Sequence, residues 1–233
     1  MTTLPLRLLS DNARVEADGS LSVGGCRVDE IAAEFGTPVF LYDEAHLRAR
    51  CQEAVAAFGR QKVVYATKAF LCKAMAKLAY DEGLLLDVAS GGELAVALAA
   101  GVPANACTLH GNNKSVTELR EATAAGVRYV IVDSFDELDR LDALWVQGMR
   151  HANGGAPKVV LRITPGVSAQ THVFIATGQD DSKFGFNLRN GDAIKAVDRA
   201  RRSDSVDLVG LHCHIGSNVF VASSFAKAAE VMA

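Results

Sequence analysis

The sequence predicts an α/β protein built as a (β/α)8 barrel of the TIM type, incomplete at about six βα units. Three observations carry this. From Asp43 onward, short apolar runs alternate with stretches whose apolar residues recur at i, i+3 and i+4; the first four runs begin about 22 residues apart; three runs are followed by Ser-x-x-Glu. Strands separated by helices need crossover connections, which build a parallel sheet of right-handed units.

The first 42 residues follow a different rule. Arg14–Val15, Leu21–Val23 and Pro38–Tyr42 are short β-like pieces, broken by Asp18-Gly19 and Gly24-Gly25, dipeptides that turn hairpins. The expectation is an N-terminal strand segment over 1–42 that belongs to a β-domain and pairs with strands elsewhere, with the barrel occupying 43–233.

In the barrel region the periodicity predicts helices at Glu44–Phe58, Leu71–Asp81, Glu93–Ala100, Val116–Ala125 and Phe135–Val146. Strands are expected at Lys62–Thr67, Leu84–Val88, Ala106–His110, Tyr129–Asp133, Lys158–Thr164 and Val206–His214. Ser90–Glu93, Ser115–Glu118 and Ser134–Glu137 are expected to be capping boxes, in which the serine caps the helix and the glutamate reaches back to the cap. A closed barrel needs eight strands, and after the sixth only a helix, Ser223–Ala233, follows. The sixth strand is therefore expected to be an open edge, and the chain a fragment of a longer protein.

Composition narrows the function. With 49% hydrophobic residues, 22% charged and a formal charge of -3, the chain can fill a core and carries no basic excess for nucleic acid or an anionic membrane surface. Its longest apolar runs fall short of the ~20 residues of a membrane helix, and Met1–Asp18 lacks the pattern of a signal peptide. The five cysteines are scattered and never spaced Cys-x-x-Cys, which argues against a disulfide framework or a zinc ribbon. A cytoplasmic protein acting on small molecules is expected.

Polar side chains fall at the carboxyl ends of the predicted strands: Lys68, Asp87, His110 with Asn112 and Asn113, Asp133, Arg162 and His214. In a barrel those ends converge on one mouth, and this mixture of charges suits an anionic cofactor. Lys68 is the candidate nucleophile, because a shielded lysine near other cations loses its proton below the usual value of about 10.4 and can form a Schiff base. An exposed lysine opening a helix at Ala69 is the plainer alternative. Strand alternation puts Val64, Ala66 and Lys68 on one face, and Leu208, Gly210, His212 and His214 on one face of the last strand. His212 is expected to pack and hydrogen-bond in the barrel. His214 is expected to stack on a flat ligand, with Gly216 and Ser217 offering room and donors. A metal pair made by His212 and His214, with His110 as a third ligand, is the other reading of these residues; the expectation is no metal. The long polar loop Pro165–Gly185, containing Thr171-His172 and Ser182-Lys183-Phe184-Gly185, is expected to be functional, with Lys183 a partner for Asp87 or an anion.

Taken in order, Val64-Tyr65-Ala66-Thr67-Lys68-Ala69, Leu86-Asp87-Val88-Ala89-Ser90, Leu109-His110-Gly111-Asn112-Asn113-Lys114-Ser115, Thr171-His172 with Ser182-Lys183-Phe184-Gly185-Phe186, and Gly210-Leu211-His212-Cys213-His214-Ile215-Gly216-Ser217 resemble a known family. It is that of the pyridoxal-phosphate-dependent amino-acid decarboxylases of the alanine-racemase-like fold, most closely those acting on meso-diaminopimelate. The resemblance implies pyridoxal 5'-phosphate held on Lys68 as a Schiff base, His214 stacked on its ring, Gly216 and Ser217 near its phosphate, and Asp87 and Arg162 in its surroundings. It implies as reaction the loss of a carboxylate from meso-diaminopimelate to give L-lysine and CO2, in a homodimer when intact. Phe70 and Asn218 stand where the family often has asparagine and glutamine. Because members are considerably longer, the isolated chain is expected to be inactive. A single-barrel protein that binds the same cofactor without catalysis, a metal-dependent barrel hydrolase, and decarboxylases of ornithine, arginine or carboxynorspermidine are the alternatives.

Overall fold

A computed structural model describes residues 5–167, 184–217, 219 and 221–233. The chain forms two compact units, Met1–Val64 with Leu78–Leu84 and Tyr65–Lys77 with Leu85–Ala233.

The first unit holds a three-stranded antiparallel sheet in the order β1 (Arg14–Val15), β2 (Leu21–Val23), β3 (Cys26–Arg27), followed by α1 (Val28–Phe35) and α2 (Glu44–Phe58). Asp18 makes the first turn, its Oδ1 accepting from the backbone N–H and hydroxyl of Ser20. The hairpin expectation holds there, and two parts of it do not. Pro38–Tyr42 forms no strand: Pro38 has no N–H for a ladder, and Phe40 is 90% exposed, so no buried face organises the stretch. The third strand is instead Cys26–Arg27, and among the described residues the three pair with one another rather than elsewhere. α2 matches its predicted span, because Asp43 caps it by accepting from the His46 N–H and Gly59 ends it.

The second unit contains one sheet in the order β10 (Asp207–Cys213), β8 (Lys158–Thr164), β7 (Tyr129–Val132), β6 (Cys107–Leu109), β5 (Leu85–Val88) and β4 (Val64–Ala66), with β9 (Phe186–Asn187) beside β8 off this path. The pairs β5–β6, β6–β7, β7–β8, β8–β9 and β8–β10 are all parallel. Apart from β9, neighbours in the sheet are neighbours in sequence, as in the wall of a (β/α) barrel. The connecting helices are α3 (Lys73–Asp81), α4 (Gly91–Ala99), α5 (Val116–Ala125), α6 (Phe135–Val146) and α7 (Asp192–Arg202), and α8 (Ser223–Met232) follows β10. Leu86, Val88, Leu109, Val130, Val132, Val159 and Leu161 are fully buried, the near-continuous apolar pattern of strands covered on both faces. Leu138, Leu141 and Leu144 of α6 and Ala193, Ala196 and Ala200 of α7 form the helical stripes that cover them.

The three Ser-x-x-Glu segments behave less uniformly than expected. Ser90, Ser115 and Ser134 each accept from the N–H three residues on, but only Ser115–Glu118 is a full capping box. Glu93 Oε2 accepts instead from the Ala89 N–H, and Glu137 Oε2 from the Asp133 N–H, one residue short of the cap. What the three glutamates share is a polar contact with the preceding βα unit. Glu93 Oε2 lies 2.6 Å from the Thr67 hydroxyl, Glu118 Oε1 accepts from the Gly91 N–H at 2.9 Å, and Glu137 Oε1 lies 2.8 Å from Lys114 Nζ. Each glutamate thus stitches its helix to its neighbour at the carboxyl end of the sheet, where the polar residues gather.

Candidate active site

The structure brings the candidate residues to the carboxyl ends of β4, β5, β6, β7, β8 and β10. Thr67 sets the position of Lys68. Its buried hydroxyl sits 2.8 Å from the Asp87 carbonyl as well as against Glu93, which ends β4 at Ala66 and turns Thr67–Ala69 into a 3-10 helix. Lys68 therefore does not continue the alternation of Val64 and Ala66, and β4 is shorter and less buried than predicted, with Val64 exposed. The lysine itself is exposed on this turn.

Asp87 on β5 faces His110, just past β6, with both carboxylate oxygens 3.0 Å from Nδ1. The ring of His110 meets that of His212 edge-on, centroids 4.8 Å apart at 83°. His110 Nε2 and His212 Nδ1 are buried with no hydrogen-bond partner among the described residues, so the expectation of a hydrogen-bonded His212 fails at Nδ1. The reason is that the ring nearest to it is another histidine, which sequence spacing could not show. Burial pushes His212 down to about 3, and its neighbours His110, Arg162 and His214 disfavour its protonated form in the same direction. His214, half-buried just beyond β10, is also lowered, by burial first and then by Arg162, Lys68 and His110. Lys68 and His214 therefore lie within electrostatic reach of each other.

Arg162 on β8 is buried, with Nη1 3.3 Å from Asp133 Oδ1 and its guanidinium 4.6 Å above the Phe184 ring. Burial lowers its pKa against the opposing pull of Asp133 and Asp87. Asp133 Oδ2 also accepts from the Gly185 N–H at 3.1 Å, so one carboxylate joins β8 to the segment entering β9. Gly216 and His214 line a 280 Å³ cavity with Phe225, Ala228 and Met232 of α8, and Ser217 is exposed next to it.

Thr171, His172, Ser182, Lys183 and Asn218 lie outside the described residues. Asn112 and Asn113 are exposed. Among the described residues no group of three or more His, Cys, Asp or Glu side chains comes together to hold a metal, and no helix is long and apolar enough to cross a membrane. Sequence reasoning missed the roles of Lys114 and Glu137, both buried at this end of the sheet. Both lie in βα junctions that are largely polar, so nothing in the sequence set them apart.

An arc of parallel βα units with its ionisable groups at the strand carboxyl ends is the architecture of a (β/α)-barrel domain. The family model described as "Pyridoxal-dependent decarboxylase, pyridoxal binding domain" matches residues 44–233, and the chain belongs to that family. It is 47% identical over 230 residues to the diaminopimelate decarboxylase of Mycobacterium leprae, covering 97% of this chain and 48% of that protein. The crystal structure of diaminopimelate decarboxylase from M. jannaschii superposes with a TM-score of 0.82 at 32% identity, over 93% of this chain and 50% of that one. The same enzyme in complex with L-lysine gives 0.79 at 32% identity, with the same coverage. The chain thus spans about half the length of the relatives it matches.

Proposed function

We propose that this chain is the pyridoxal-phosphate-binding part of a decarboxylase that converts meso-2,6-diaminopimelate to L-lysine and CO2. In this reading residues 43–233 form the cofactor-binding part of the barrel and 1–42 belong to a β-domain. The intact protein is a homodimer in the cytoplasm, where the five free cysteines would stay reduced. The observation that carries the reading is the gathering of Lys68, Asp87, His110, Arg162, His212 and His214 at one end of the sheet, with two buried ring nitrogens lacking a partner among the described residues. Relatives named diaminopimelate decarboxylase, and a similar structure that holds L-lysine, support the substrate.

The residues fit the cofactor. Lys68 supplies the amine that holds it, Arg162 a buried cation, Asp87 a carboxylate, and Gly216 with Ser217 a close backbone and a hydroxyl for the phosphate. His214 presents a ring kept neutral by burial and by the neighbouring cations, a flat face that does not repel a cationic heterocycle. When bound, pyridoxal phosphate supplies the electron sink for the carbanion left by the departing carboxylate. The chain's own part is orientation and proton control. Asp87, by accepting from His110 Nδ1, fixes which nitrogen carries the proton and leaves Nε2 facing the buried side of the site.

The test is the absorbance of the chain with added pyridoxal phosphate before and after borohydride, beside Lys68→Ala. A band that borohydride fixes onto Lys68 is expected. Equal spectra for wild type and variant would remove Lys68 from the site.

A further inference from the structure

Lys114 is the largest fully buried side chain of the described residues, and it is a cation. Its ammonium donates to two carbonyls, that of Gly111 and that of Ile131 at 2.7 Å, and forms an ion pair with Glu137 Oε1 at 2.8 Å. Arg140 on α6 donates in turn to the Lys114 carbonyl. Glu137 lies in the same interior; burial pushes its carboxyl up while Lys114 pulls it down.

A buried ion pair is a poor source of stability, since apolar side chains of similar volume commonly do as well or better. What this pair holds is more informative. The carbonyl that Lys114 grips belongs to the residue after His110, at a glycine with φ +107 whose Cβ would come within 3.2 Å of the Ala89 carbonyl. That backbone has little freedom, and His110 follows it. On the other side, Glu137 Oε2 accepts from the N–H of Asp133, the carboxylate that holds Arg162 and Gly185. The pair therefore links two clusters that come from different strands, Asp87–His110–His212 on one side and Asp133–Arg162 on the other.

We propose that Lys114 and Glu137 are positioning residues for the candidate site, and that Lys114, through the Gly111 carbonyl, fixes the His110 ring between Asp87 and His212. The proposal rests on the cofactor reading only for its consequence; the placement of His110 is independent of any ligand. Neither residue touches the reacting groups.

The experiment uses the full chain with 15N-labelled histidine and three variants: Lys114→Met, Lys114→Arg, and the apolar pair Lys114→Met with Glu137→Leu. The single Met variant leaves a buried carboxyl unpaired and is expected to lower the melting temperature; the apolar pair is expected to recover it. In the apolar pair, the Nδ1 and Nε2 shifts that report the His110 tautomer should still move away from wild type. Binding of pyridoxal phosphate should weaken on the order of tenfold, a usual cost of losing a supporting partner. Lys114→Arg, which keeps the charge, should lie between the two. A stable apolar pair with wild-type His110 shifts would overturn the proposal and leave Lys114 as filling. If the apolar pair also fails to fold, the folded Lys114→Arg chain decides: unchanged His110 shifts there count against positioning. The cofactor reading fails separately, if borohydride fixes nothing on wild-type Lys68 while the His110 shifts respond as expected.

Discussion

His212 shows how a single residue carries the pH behaviour of the site. Its pKa falls from 6.5 to about 3 on folding, so between those values the unfolded chain binds the proton and the native chain does not. Stability then rises with pH across this window and is lost as pH falls from 6.5 towards 3. Urea titrations at several pH values should show that slope, and His212→Leu should flatten it. His214 is lowered in the same direction and adds to the effect. Gly185 makes a second prediction. At φ +73, an added Cβ would sit 2.7 Å from the Arg162 carbonyl, so Gly185→Ala must both strain the backbone and push β8. A loss on the order of 1–3 kcal/mol is expected in urea denaturation, together with a displaced Arg162.

At the scale of elements, the helices predicted over Val116–Ala125 and Phe135–Val146 match their structures end for end, because a serine caps each start and an apolar stripe fixes each face. The glutamates could not be read so well. The motif Ser-x-x-Glu predicts a local box, whereas Glu93 Oε2 and Glu137 Oε2 accept from the residue before the cap, and all three glutamates reach a neighbouring βα unit. The expected consequence is an order of costs. Ser115→Ala should lose about 1 kcal/mol, the ordinary value of an N-cap. Glu118→Ala should lose more, since its carboxylate also holds the Gly91 N–H and is kept well ionised by those backbone donors. Chemical denaturation of both variants and of their double checks the order, and the Gly91 amide should exchange faster only when Glu118 is missing.

Across the second unit, the hydrogen-bonded path runs from β10 to β4, and among the described residues neither end strand has a further partner on this path. Val209 and Leu211 on β10 are 44% and 46% exposed, an apolar surface on an end strand of the kind that invites pairing with another strand. Sedimentation velocity should show concentration-dependent self-association of the chain, reduced by Val209→Lys. Unchanged association in that variant would place the contact elsewhere.

The sequence by itself determined the βα alternation, the parallel order of the strands and the place of Lys68, Asp87, Arg162 and His214 at their ends. Those features follow from hydrophobic periodicity and capping, which act over a few residues. It also carried enough family motif to point to the cofactor. Only the tertiary structure decided which polar groups meet. The edge-on contact of His110 with His212, the Asp133 carboxylate shared by Arg162 and Gly185, and the burial of Lys114 against Glu137 join residues from 23 to 102 positions apart. The missed β9 and the shortened β4 have the same origin: a two-residue strand has too few side chains to show a period, and a single threonine hydroxyl ended β4 by bonding across the sheet. Local patterns are set by the chain's own stereochemistry, whereas a polar contact is set by the fold that delivers its two partners.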